Sequence, residues 1–185
     1  MRWDALFADL EAQGAALWAA ERGAEIADRT RSEVGRLGLI DRLRPAVGSR
    51  LRVGCRAGLT LAGRLDRVHP EWLLIEEDTG REAVVAMSAV ISIGGLGTSS
   101  AVPDSMPVVD ARFGLRLALR GIARDRSPGR LYLTDGTVID GTLDRVGADF
   151  VEVAVHPVGE PRRRSSVVQA VVLATEALVA LRRET

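Results

Sequence analysis

The chain has no lysine and no asparagine; all 25 of its basic residues are arginine, balanced by 25 carboxylates. A formal net charge of zero removes the bulk electrostatic attraction that marks a general nucleic-acid or membrane-surface binder. The missing lysine reads either as codon bias in a GC-rich genome or as selection for forked guanidinium groups at interfaces. A single cysteine, Cys55, excludes an intrachain disulfide and a thiolate zinc cluster. It alternates with Leu51 and Val53, as a small core residue on a strand does. Aromatic residues make up only 4% of the chain, which disfavours base readout by stacking. No apolar run reaches the ~18 residues needed to span a bilayer. Asp4, Asp9 and Glu11 stand where a signal peptide would need an uninterrupted apolar core. A cytoplasmic protein is expected.

What the chain does have is a duplication. The segment GLTLAGRLDRV, from Gly58 to Val68, returns as GTVIDGTLDRV, from Gly136 to Val146, with six of eleven positions identical. Such a repeat implies a duplicated structural unit. Units of this size bury only about 60% of their unfolded surface and are marginal alone, so the halves are expected to lean on each other, on helices or on another subunit. With 46% apolar and 27% charged residues, the composition is that of a globular protein.

Periodicity supplies the elements. Trp3, Phe7, Leu10, Leu17 and Ala24 fall on one seam of a helix over about 2–28, widened by Leu6 and Trp18 and weakened by Gly14 and Glu21. A second helix is expected from Ser32 to Leu43, closed by Pro45. From Arg50 the period becomes two: Leu51, Val53 and Cys55, then Leu61, Gly63 and Leu65, then Trp72 to Ile75, with short strands at Ala83–Val85 and Ala89–Ile93. Residues 96–109 are rich in Gly, Ser and Pro and read as a linker, not a phosphate loop. The second unit repeats the plan: a helix from Asp110 to Arg124, then strands over 129–134, 137–146, 149–156, 164–173 and 177–181.

A helix followed by five bent strands, with Leu133-Thr134-Asp135-Gly136 through Gly141-Thr142-Leu143 across the first two, resembles the Sm-like fold. Cys55-Arg56-Ala57-Gly58 and Gly63-Arg64-Leu65 give a weaker copy. Other SH3-like small barrels share this turn and glycine. The resemblance implies an α+β, mainly β chain: two five-stranded Sm/SH3-like barrels in tandem, each preceded by a helix, plus an N-terminal amphipathic helix. The corresponding segments are 1–29, 30–95, the linker 96–109, and 110–185. Sm-like proteins commonly form rings by edge-strand pairing and bind uridine-rich RNA. The residues of that RNA pocket are missing: His69 or Gly147 stands in place of the Asp, and neither Met87-Ser88 nor Thr175-Glu176 supplies Arg-Gly.

Candidate functional residues lie outside the shared motif. Arg112, Arg116, Arg120 and Arg124 form a ladder four apart on one helix face, suited to phosphates or simply solvated. Arg162, Arg163 and Arg164 cluster in a loop, where they would grip an acidic group or only solubilise a hairpin tip. Trp3, Phe7, Leu10, Leu17 and Trp18 offer aromatic anchors for a protein partner or cover for a marginal core. His69 and His156 are not a repeated pair, and Asp66-Arg67 and Asp144-Arg145 read as structural turns. No nucleophile–base set appears. The expectation is a non-enzymatic adaptor or assembly module, pairing through edge strands and the first helix with a protein partner or another copy of itself. An RNA-binding regulator using the arginines is the alternative. No cofactor, metal, membrane or small-molecule substrate is expected.

Overall fold

The computed structural model describes residues 2–102, 114–157 and 169–184. It divides into two units, Met1–Gly38 and Leu39–Thr185. The first is one helix, α1 (Arg2–Val34). No glycine or proline falls between Gly23 and Gly35, so the helix continues past position 28 and takes in the start of the expected second helix. It ends where the Gly35 amide donates to the Arg31 carbonyl.

The second unit opens with a short helix, α2 (Leu39–Leu43), and a 3₁₀ turn through Pro45. Five strands follow: β1 (Arg50–Cys55), β2 (Thr60–Val68), β3 (Trp72–Glu77), β4 (Glu82–Ala86) and β5 (Val90–Gly94). Helix α3 (Leu115–Asp125) then leads into β6 (Pro128–Leu133), β7 (Val138–Val146), β8 (Phe150–Val155), β9 (Gln169–Ala174) and β10 (Leu178–Arg183). The alternation read from sequence sets the burial: Leu51, Val53, Cys55, Leu61, Leu65, Leu73 and Ile75 are all at most 3% exposed.

The expectation of two separate five-stranded barrels is wrong. All ten strands form one continuous antiparallel sheet in the order β5-β1-β2-β3-β4-β10-β6-β7-β8-β9. The halves fuse because β4 pairs with β10, Ala83, Val84 and Val85 lying opposite Arg182, Leu181 and Ala180. Repetition of apolar pattern specifies the strands and their neighbours within each half. It does not say whether the fourth strand's outer edge turns back on its own half or joins the next. Here the junction buries Val84, Val85, Ala180 and Leu181, cover that each marginal half lacks alone.

The duplication is visible in the pairing itself. Gly63 lies opposite Leu51, and Gly141 opposite Gly129. A Cβ at Gly63 would run into the Glu76 carbonyl, and one at Gly141 into the Ala154 carbonyl; both sites need a residue without a side chain. Asp66 and Asp144 sit at register shifts of β2 on β3 and β7 on β8. The repeated Asp-Arg-Val therefore marks a β-bulge within each strand, where the sequence suggested a turn leaving it.

Candidate functional site

On α1, Trp3, Phe7, Leu10, Leu17 and Trp18 are all exposed, between 53% and 70%. No described residue of their own unit covers these five side chains. Arg116, Arg120 and Arg124 are exposed on α3, on the face away from the buried Leu115 and Leu119. Arg112 and the cluster Arg162, Arg163 and Arg164 lie outside the described residues. The ladder does not stand in a purely basic field. Arg116 and Arg120 line a cleft that also contains Glu71, Asp149 and Glu176.

Glu71 was not singled out by sequence reasoning. Its Oε2 accepts the Leu115 amide at 2.8 Å, satisfying one of the orphan donors at the start of α3. A Cβ at Gly114 would crowd this carboxylate. A capping residue 44 positions away in sequence leaves no local signature.

Both histidines are buried. Nδ1 of His69 accepts the Glu71 amide at 3.1 Å, and the ring stacks on Trp72 with centroids 5.7 Å apart. Nε2 of His156 lies 2.8 Å from the Thr142 hydroxyl and Nδ1 lies 3.1 Å from the Pro157 carbonyl. The carbonyl can only accept, so Nδ1 donates to it; in the neutral ring Nε2 then accepts from the hydroxyl. Cys55 is buried, and burial pushes its thiol up to about 11, away from nucleophilic use at neutral pH. Among the described residues no group of three or more His, Cys, Asp or Glu is placed to hold a metal ion, and no helix is long and apolar enough to cross a membrane.

The distinctive geometry is at the ends of the sheet. Among the described strands, β5 pairs only with β1 and β9 only with β8. Neither β5, VISIG, nor β9, QAVVLA, contains a charged residue or a proline, the devices that ordinarily blunt an open edge. Pairing registers establish what these strands correspond to. Ile93 lies opposite Val53 as Leu181 lies opposite Leu131. Val84 lies opposite Leu74 as Val172 lies opposite Glu152. Thus β5 is the counterpart of β10, and β9 the counterpart of β4. The two strands that join inside the chain have their duplicates at opposite ends of the sheet, with no further described strand paired to them. The strands were expected from sequence; their openness depends on a register that only the folded chain displays.

The internal junction carries charges that its duplicate lacks. Arg182 pairs with Glu77 at 2.8 Å and lies over the Tyr132 ring, and Arg183 reaches Glu82 at 3.5 Å. At the open edges the matching positions of Arg182 and Glu82 are Gly94 and Ala170.

A second feature is a cleft of about 310 Å³ beside the junction, between α3 and strands β3, β4, β10 and β6. Trp72, Leu74, Val84, Ile122 and Leu181 give it an apolar lining, and Arg67, Glu82, Asp125 and Arg183 stand around it. No family model matches the chain, and no curated protein matches it.

Proposed function

We propose that this protein is a non-enzymatic assembly module that joins copies of itself edge to edge, the β5 strand of one copy adding to β9 of the next. The observation that carries this reading is the β4–β10 pair: the chain already contains one such junction, and its duplicate strands lie at the two ends of the sheet with no described strand beyond them. Transferring the internal register places Ser92, Ile93 and Gly94 of one copy opposite Leu173, Val172 and Val171 of its neighbour. A contact between two different surfaces is heterologous, so it propagates head to tail until it closes into a ring or runs on as a filament. Backbone hydrogen bonds supply the attraction in such strand addition, and side chains on alternate positions supply the fit. The exposed apolar seam of α1, with Trp3, Phe7 and Trp18, is a further attachment surface for a protein partner in the same reading.

RNA binding by the arginine ladder is the weaker reading. Arg116 and Arg120 share their cleft with three carboxylates, which oppose a phosphate backbone.

Light scattering on size-separated protein across a range of concentrations tests the proposal. The mass should rise with concentration in discrete multiples of the chain. Val172→Lys and Ile91→Lys, both at exposed edge positions, should each return the protein to monomer without unfolding it. Because the transferred register lacks the internal ion pairs, the association should change little between about 50 and 500 mM salt. A monomer at all concentrations, or assembly untouched by both lysines, refutes it.

A further inference from the structure

The two copies differ at one cross-strand pair in a way that bears on the cleft. In the second half Arg145 of β7 lies opposite Glu152 of β8, and its Nε donates to that carboxylate at 2.6 Å. In the first half the counterpart arginine, Arg67 of β2, lies opposite Leu74 of β3. The carboxylate has been replaced by a leucine. Among the described residues, Arg67 has the adjacent Asp66 as its ion-pair partner, at 3.6 Å, and Asp66 is shared with Arg64 at 3.5 Å. The same leucine continues into an apolar row, Leu74 opposite Val84 and Val84 opposite Leu181, which floors the cleft. Helix α3 faces this floor with Ala118 and Gly121, side chains too small to fill the space. At the other end of the mouth, Arg183 lies between Glu82 and Asp125, at 3.5 and 3.8 Å. That cation is matched by the chain's own carboxylates, whereas Arg67 has lost the cross-strand carboxylate its duplicate keeps.

From this geometry we infer that the cleft is a binding site for a small amphipathic anion, a carboxylate with an apolar body. The carboxylate takes the place that Glu152 fills in the other half, accepting from the Arg67 guanidinium. The apolar body lies along Leu74, Val84 and Leu181, with Trp72 and Ile122 beside it. A volume of about 310 Å³ is at the small end of ligand sites and suits a medium-chain acid better than a long one. Carboxylates Glu82 and Asp125 at the far rim disfavour a second negative charge, so a monoanion fits and a dicarboxylate does not. The site lies within one chain and does not depend on how copies join.

The test is calorimetric titration of the full-length protein with sodium octanoate, and with octan-1-ol and octylammonium as neutral and cationic counterparts. Octanoate should bind once per chain, with a dissociation constant below about 1 mM. The alcohol and the amine should bind roughly tenfold more weakly or not at all, since an ionised hydrogen bond is worth that factor or more. Arg67→Gln should lose the same factor, and Arg145→Gln should change nothing. Leu74→Glu recreates the pair that β7 and β8 tolerate, so it should fold and abolish binding by occupying Arg67. Absence of saturable octanoate binding, equal binding of the alcohol, or undiminished binding in Leu74→Glu would each overturn the assignment. Absence of octanoate binding to the unsubstituted protein, with its assembly intact, refutes this inference alone.

Discussion

Val84 of β4 and Val172 of β9 occupy the same place in the two copies, yet Val84 is 8% exposed and Val172 is 64% exposed. The difference is the neighbouring strand. Leu181 of β10 lies directly opposite Val84, and no described strand lies beyond Val172.

That contrast predicts unequal costs for matched truncations. Leu181→Ala at the internal junction should destabilise the protein by about 2–5 kcal/mol, the range for emptying a packed leucine site. Ile93→Ala, its half-buried counterpart at the open edge, should cost clearly less under dilute conditions. Urea titrations followed by far-UV circular dichroism measure both. Equal costs would mean that β10 contributes no more cover than the edge does.

The bending glycines give a second expectation. Gly63→Ala and Gly141→Ala each drive a Cβ into a neighbouring carbonyl and should cost roughly 1–3 kcal/mol. Gly14→Ala meets nothing within 4 Å on α1 and should instead raise helix content, being worth about 0.5–1 kcal/mol. Thermal melts of the three variants, compared with the parent, decide the matter.

Removal of the carboxylate that caps α3 is a third case. Glu71→Ala strips the acceptor from the Leu115 amide and should lower stability by about 1 kcal/mol, the usual worth of a helix cap. Hydrogen exchange should localise the effect to the first turn of α3. Unchanged protection there would show that solvent satisfies the amide as well as Glu71 does.

The buried thiol makes stability depend on alkaline pH. The folded state raises Cys55 from 9.0 to about 11, so the native chain holds a proton that the unfolded chain has released in that window. The contribution is present below the unfolded value and is lost as pH rises from 9 towards 11. Cys55→Ala should flatten this part of the stability curve. In the native protein at pH 8 the thiol should react with an aromatic disulfide reagent only at the rate of unfolding; rapid labelling would place the sulfur at the surface.

How far the sequence reveals this fold can be argued from single positions. Leu61, Gly63 and Leu65 alternate with Thr60, Ala62, Arg64 and Asp66, and both leucines are fully buried; period and burial are the same information there. Trp72 and Phe150 could be matched by counting from the repeated Asp-Arg-Val. The junction could not be. Val84 and Val172 sit in similar apolar strands, and nothing local says that one is covered by β10 and the other is not. The expectation of closed halves failed at this point, because strand pairing across halves is a long-range choice. For the cleft, Leu74 against Glu152 was legible in an alignment of the copies. Its meaning required Ala118 and Gly121 of α3 to be placed opposite.

Edge-to-edge assembly is tested most directly by amide hydrogen exchange of the full-length protein at increasing concentration, read strand by strand. Protection in β5 and β9 should rise together with concentration while β4, β10 and the remaining strands stay constant. Protection in β5 and β9 that is independent of concentration, or a rise confined to α1, would contradict it.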